Sequence, residues 1–187
     1  YSIGFLIILG TILIIFVFVS LRIGLYDTSA TEILKGIVGI SDDNRINLIV
    51  RNNRLPRICT ALVSGAGFGL VGCILQAVLH NPLASPSTLG VSQGATFGAA
   101  VAIVVVGLGN HSIIGITLLS FTGSVAVAAL ILVLSRFRQI SAEGIVLAGV
   151  AISAMLTGAT TLIQYFANDI ELATIVFCTF GDLGNTT

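Results

Sequence analysis

The chain has 187 residues, of which 56% are hydrophobic and only 9% charged, with a mean hydropathy of +1.09 and eight basic residues balanced by eight acidic ones. An ordinary soluble domain carries about 25% charged residues, so this composition excludes a water-soluble globule, and zero net charge leaves no basic surface for nucleic acid. What fits is an all-α bundle embedded in membrane lipid.

The first uncharged run, about residues 2–20, is long enough to cross a hydrocarbon core of roughly 30 Å at about 1.5 Å per helical residue. It has no basic leader and no small-residue cleavage site, so it reads as a span whose natural start is missing rather than as a signal peptide. A long loop from Leu21 to Arg57 follows. Within it Ile33, Leu34, Ile37, Val38 and Ile40 recur at helical spacing with Glu32 and Lys35 outside the stripe, which predicts a short helix over Ser29 to Ile40 lying on the membrane surface. Further spans are expected at about 58–79, 87–106, 113–134 and 144–167. Between Asn81 and Ser135 there is no Asp, Glu, Lys or Arg over 55 residues. As one helix that run would be roughly 80 Å long, so it must fold back, and Gly107-Leu-Gly-Asn-His111 marks the turn. The run Leu172 to Gly181 is too short to cross and predicts an interfacial or re-entrant helix. The last residues, Gly181 to Thr187, stop without a terminal element, and the chain reads as a fragment.

Five spans put the two ends on opposite sides, but the basic residues argue the orientation both ways. The loop Leu21 to Arg57 holds six basic residues against Asp27, Glu32, Asp42 and Asp43; the shorter loop Ser135 to Gly144 holds Arg136 and Arg138 against Glu143, close to the span ends that matter most. The pattern alone leaves the orientation open.

The richest segment begins at Arg54-Leu-Pro-Arg57 and runs to Gly98. Pro56 sits where a helix can begin without losing a needed donor, and Ser85-Pro86 repeats the device as N-cap and first helical residue of the next span. Gly65, Gly69 and Gly72 on the second span, and Gly90, Gly94 and Gly98 on the third, form small-residue rows that let helix backbones approach in lipid; tight packing is favoured over contact with cargo. On the fifth span Gly149, Ser153, Thr157, Thr160 and Gln164 share one helix face, which can line an aqueous path or bond neighbouring helices. Gln76 and Gln93 add polar groups at the ends of the central pair. His80 and His111 fall at span ends. Cys59, Cys73 and Cys178 lack metal-site spacing and read as packing residues, so neither metal nor cofactor is indicated. Ser64-Gly65 lacks the first glycine of a GxSG-like nucleophile turn, which argues against an intramembrane enzyme. No carboxylate lies inside a span, which disfavours an ion-coupled carrier. Asn81-Pro82 is a single match to the half-helix turn of water channels.

The segment Arg54 to Gly98 closely resembles the FecCD or BtuC-like permease subunits of ATP-binding-cassette importers for iron siderophores, haem and cobalamin. The resemblance rests on "RLPR", the glycine-rich span ending in Gln76, "NPLASPSTLGVSQGA", "SAEGIVLAGVAIS" and "TFGDLG", which together cover most of residues 51–184. It implies the first half of a ten-span, type II importer permease in a bacterial or archaeal inner membrane. It further implies a homodimer with a central path, two cytoplasmic ATPase subunits and an external binding protein. By the same resemblance the loop with Arg54 and Arg57 is external and the Arg136 to Glu143 loop cytoplasmic. Arg54 and Arg57 would then dock glutamates of the binding protein, or equally anchor the helix start at the interface. The segment Gln139-Ile-Ser141-Ala142-Glu143 would form the cytoplasmic gate, although Ser141 as N-cap and Glu143 in the first turn of a helix explain both residues equally well. The family's coupling loop would lie beyond Thr187. The function implied is a permease subunit for a ferric siderophore or related metal chelate; the alternatives are a secondary transporter or channel, or an intramembrane enzyme.

Overall fold

The computed structural model of the protein describes residues 2–22, 35, 44–108, 112–136, 140–181 and 183. The surface helix expected over Ser29 to Ile40 lies outside the described residues apart from Lys35, as does Gln139. All regular structure among the described residues is helical: α1 (Ser2–Arg22), α2 (Asn44–Ile49), α3 (Leu55–Leu79), α4 (Val91–Ala100), α5 (Ile113–Ser135), α6 (Ala142–Phe166) and α7 (Asp169–Phe180), with wider π-helical turns at Val50–Arg54 and Val101–Val105. Four stretches are long and apolar enough to cross a membrane: Ile3–Leu21, Arg45–Leu79, Ile113–Ser135 and Ala142–Phe166. Contacts divide the chain into two units, one built on α1, α2 and the start of α3, the other running from Gly67 through α7.

In the first unit α1 is largely apolar and its side chains from Ile3 to Ser20 are nearly all exposed, as expected of a lipid-facing helix, while Leu21 is buried. The segment Arg45–Leu79 continues as one helix of 35 residues, so Pro56 does not open a helix, as its place in the Arg-Leu-Pro-Arg motif suggests; it sits inside one. A proline ring presses on the carbonyl four residues back and removes one ladder bond. Here that carbonyl belongs to the π-helical turn Val50–Arg54, where the Leu55 N–H bonds five residues back to the Val50 carbonyl and the widened turn makes room for the ring.

The second unit starts with a sharply finished α3. His80 takes a left-handed conformation at φ 47°, and the Asn81 N–H reaches back to the Gln76 carbonyl at 3.2 Å, the two marks of a Schellman-type end. The loop that follows is held by its own side chains. Asn81 Oδ1 accepts from the Leu83 N–H, Gln76 Nε2 donates to the Pro82 carbonyl at 3.0 Å, and the Thr88 hydroxyl donates to the Leu83 and Ser85 carbonyls while accepting from the Ser85 N–H. Ser85 caps a turn, accepting from the Thr88 N–H at 3.0 Å. That turn stops after one round, at Gly90 with φ +80°, and the regular helix begins at Val91. The span expected at about 87–106 is therefore broken: its continuous part, Val91–Val105, has 15 residues, short of the ~20 a full crossing needs.

Close backbone approach holds α4 in place. A Cβ on Gly94 would lie 2.6 Å from Val127 Cγ2 and 2.7 Å from the Gly123 carbonyl oxygen, and one on Gly98 would meet the Leu119 carbonyl oxygen. Helix association in lipid depends on such contact, because burying apolar area gains little there. On the other side a Cβ on Gly149 of α6 would lie 2.7 Å from Leu89 Cα, and one on Gly90 would lie 3.2 Å from the Ser153 backbone nitrogen. Two apolar clusters close the packing, one of Leu89, Ile131 and Ile145, the other of Ala100, Ile103 and Ile175.

Ser112 and Ser141 cap α5 and α6, each accepting from the N–H three residues on. Between α6 and α7 the chain bends at Ala167 and Asn168, both extended, and a reciprocal capping box starts α7: Asn168 Oδ1 accepts from the Glu171 N–H while Glu171 Oε2 accepts from the Asn168 N–H. The short helix expected over Leu172 to Gly181 is thus three residues longer at its start, because the capping box lies ahead of the apolar run. Gly181 ends it at φ +81°.

Candidate functional site

Nine polar residues of the second unit line one cavity of about 360 Å³. Ser87 reaches it from the loop, Ser92, Gln93 and Thr96 from α4, Thr157, Thr160, Thr161 and Gln164 from α6, and Thr179 from α7. The local fold explains the convergence. Gly90 and Gly149 let the start of α4 settle onto α6, and residues four apart such as Ser92 and Thr96, or Thr157 and Thr161, then share a helix face. Ser153 ties the broken turn to α6 by donating from Oγ to the Ser87 carbonyl at 3.2 Å.

The hydrogen bonding gives the cavity its chemical character. Thr96, Thr157, Thr160, Thr161 and Thr179 each donate their hydroxyl proton to the carbonyl four residues back in their own helix, at 2.8–3.1 Å. A hydroxyl has one proton and two lone pairs, so these hydroxyls keep only acceptor capacity for any further partner. Gln93 Oε1 is a buried acceptor with no partner among the described residues. No charged side chain is among the lining residues.

Of the sequence-predicted path residues, Gln93, Thr157, Thr160 and Gln164 come together here, while three do not. Gly149 is buried against the Thr88–Leu89 backbone and acts in packing. Ser153 is half-buried and bonds the loop, and Gln76 lies exposed at the end of α3, its amide spent on the Pro82 carbonyl. Ser87, Ser92, Thr96, Thr161 and Thr179 line the cavity without having been singled out; the four-residue spacing of the serine and threonine pairs was the signal available for most of them.

Gly94 and Gly98 lie in the α4–α5 contact and Gly90 in the approach to α6, whereas Gly65, Gly69 and Gly72 differ: no described atom lies within 4 Å of a Cβ placed on any of them. Arg54 is half-buried and its Nη1 donates to the Leu21 carbonyl at 2.6 Å, covering one of the last carbonyls of α1; Arg57 is exposed. Ser141 is the N-cap of α6, accepting from the Gly144 N–H at 3.2 Å, with Ala142 and Glu143 in its first turn. Among the described residues no three His, Cys, Asp or Glu come together as a metal site would need, and Cys59, Cys73 and Cys178 form no disulfide and are exposed rather than packed inside the described bundle.

Long apolar helices joined by backbone contact around one uncharged polar cavity define a multi-span helical membrane protein. The sequence profile of the FecCD transport family matches residues 12–187, and the chain belongs to that family. Among its relatives, a Methanocaldococcus jannaschii protein provisionally named an ABC transporter permease is 42% identical over 191 residues, covering 95% of this chain and 54% of the relative. The Fe(3+)-citrate import system permease protein YfmE of Bacillus subtilis is 32% identical over 171 residues, covering 91% of this chain and 50% of the relative. A solved structure, described as an inward-facing conformation of a provisionally identified metal-chelate type ABC transporter, superposes with a TM-score of 0.71 at 30% identity, covering 95% of this chain and 52% of that one. The chain thus spans about half the length of the relatives it matches, and those relatives are transport components rather than enzymes.

Proposed function

We propose that the chain forms the first half of a permease subunit in an ATP-driven importer, and that the cavity between α4, α6 and α7 is part of the wall along which a ferric siderophore or related metal chelate passes. The observation that carries this reading is the gathering of Gln93, Thr157, Thr160 and Gln164, with five further Ser and Thr residues, around one space in a bundle built largely from apolar side chains. Polar groups inside lipid are expensive and concentrate where they line a path or bond one another, and here most threonine hydroxyls bond only their own helices. The partners on this reading are a second permease copy across a central path, a cytoplasmic ATPase and an external binding protein, with Arg54 and Arg57 on the outer side and Ser141, Ala142 and Glu143 at the cytoplasmic gate. The permease performs no covalent step. Its helices open one side at a time as the partners bind and hydrolyse ATP.

The test uses the full-length parent, with Cys59, Cys73 and Cys178 replaced by alanine, reconstituted with its ATPase and binding protein. A single cysteine at Thr157 is expected to react with a water-soluble thiol reagent and, once blocked by a bulky one, to stop chelate uptake while ATPase assembly persists. Labelling without any loss of uptake would reject the path.

A further inference from the structure

The apolar groove between α1 and α3 ends at a cluster of arginines, and we infer that it seats an anionic phospholipid of the phosphatidylglycerol type, one acyl chain along the groove and the phosphate on the arginines. Leu9, Leu13, Phe16 and Val17 of α1 and Ile58 and Leu62 of α3 line a space of about 480 Å³, all of them within the first unit. At about 1.5 Å per residue the lining of α1, from Leu9 to Ser20, is about 16 Å long, so the mean cross-section of the groove is about 30 Å². A helix with its side chains is about 10–12 Å across and needs roughly 80–110 Å². The groove is therefore too narrow to seat a further helix, from the parent's second half or from a second copy, and fits a slender hydrocarbon chain.

The charged end of the groove decides the head. Ser20 lines the groove, and the carbonyl of the next residue, Leu21, accepts from Arg54 Nη1 at 2.6 Å, so this guanidinium stands where α1 ends beside the start of α3. Arg57 is exposed and precedes the lining Ile58; Arg51, also exposed, lies three residues ahead of Arg54, and Arg22 closes α1. Among the described residues of this unit there is no Asp or Glu, and over Leu21 to Arg57 as a whole six basic residues outnumber four acidic ones. A guanidinium carries five N–H donors in a fork that matches phosphate oxygens, and long basic side chains at a span end reach the headgroup level. The tail by itself gives no preference, because the lipid outside the groove is as apolar as its walls. Selection rests on the head. A phosphoglycerol head is a net anion, whereas a phosphocholine head brings its own cation and gains little from a basic cluster. Interfacial anchoring, the second role the sequence allows Arg54 and Arg57, thereby acquires a chemical partner.

The experiment uses the full-length parent in a nonionic detergent with phosphatidylglycerol that carries a photoactivatable diazirine midway along one acyl chain, and maps the adducts by mass spectrometry after irradiation. Adducts are expected on Leu9 to Val17 and on Ile58 to Leu62. Unlabelled phosphatidylglycerol should displace them at about 25-fold lower concentration than phosphatidylcholine, about 5-fold for each of two arginines. Arg51→Gln and Arg57→Gln should each reduce that preference by about 5-fold and leave the adducts in place, while Arg51→Lys and Arg57→Lys retain most of it. Leu13→Trp, which fills the groove from an exposed position on α1, should remove the adducts while the protein keeps the parent's elution volume. Equal displacement by the two lipids overturns the recognition of the head. Adducts spread evenly over all lipid-facing helices overturn the groove as a site, and adducts absent from α1 and α3 overturn it too, since the parent's other half then covers it. Neither binding protein nor chelate is present, so the result is independent of docking by Arg57 and of the path through the second unit.

Discussion

The seam between α4 and α5 yields the most stringent prediction. A Cβ added at Gly98 lands on the Leu119 carbonyl oxygen, 2.9 Å from the Leu119 carbonyl carbon and 3.1 Å from Ser120 Cα, and one added at Gly123 lands on the Gly94 carbonyl oxygen. All of these are backbone atoms, so no rotamer change relieves the clash, and the helices must part by about 1 Å, a gap that forfeits roughly a quarter to a half of each dispersion contact. Overpacking of this kind costs about 1–3 kcal/mol, against about 1 kcal/mol gained when alanine replaces glycine in a helix. Because the blocking atoms are backbone the upper end of that cost applies, a net of about 2 kcal/mol, and Gly98→Ala is expected to lower the thermal midpoint in detergent by about 4–8 °C, at about 2–4 °C per kcal/mol for a chain of this length. Gly123→Ala should do the same. The double variant should cost less than the sum, because helices already parted by one methyl accommodate the second. An unchanged midpoint for both single variants, or a strictly additive double variant, would refute the argument that backbone contact holds this seam.

Other outcomes follow from single contacts. Thr88→Val removes a hydroxyl that joins Ser85 and Leu83 and should destabilise the loop by about 1–3 kcal/mol, read as faster amide hydrogen exchange at Ser85 and Leu89. His80→Gly relieves the left-handed position at φ 47° and should raise the thermal midpoint, by up to about 1 kcal/mol in stability; His80→Val should lower it. Ser141→Asp retains the cap of α6 and should leave uptake by the parent intact, whereas Ser141→Ala should cost about 1 kcal/mol of stability and Ser141→Trp should block uptake with assembly preserved. Reversing Arg54 and Arg57 to Glu should weaken binding of the external protein at low salt and change it less at high salt, as screened charge pairs do; unchanged affinity at low salt would reject their docking role.

Composition and periodicity were enough to determine a lipid-embedded helical bundle and to place apolar helices close to the ends of α1, α5 and α6, because a membrane span is an uninterrupted apolar run whose ends are marked by charge or by a cap such as Ser141, whereas the helix through α3 begins at Arg45, well ahead of the expected start. The face shared by Thr157, Thr160 and Gln164 was legible for the same reason, since it follows from helical period alone. Only the tertiary structure decided where backbones touch. It broke the third span at Gly90, put Pro56 inside a helix by widening the turn ahead of it, and turned Gly149 from a path candidate into a packing contact. These features depend on which helix lies against which. A glycine reads the same in sequence whether an added Cβ would meet no described atom within 4 Å, as at Gly69, or a carbonyl, as at Gly98. The direction of the threonine protons was equally hidden, because a hydroxyl can bond its own helix or a guest, and the neighbours around the cavity decide which lone pairs remain.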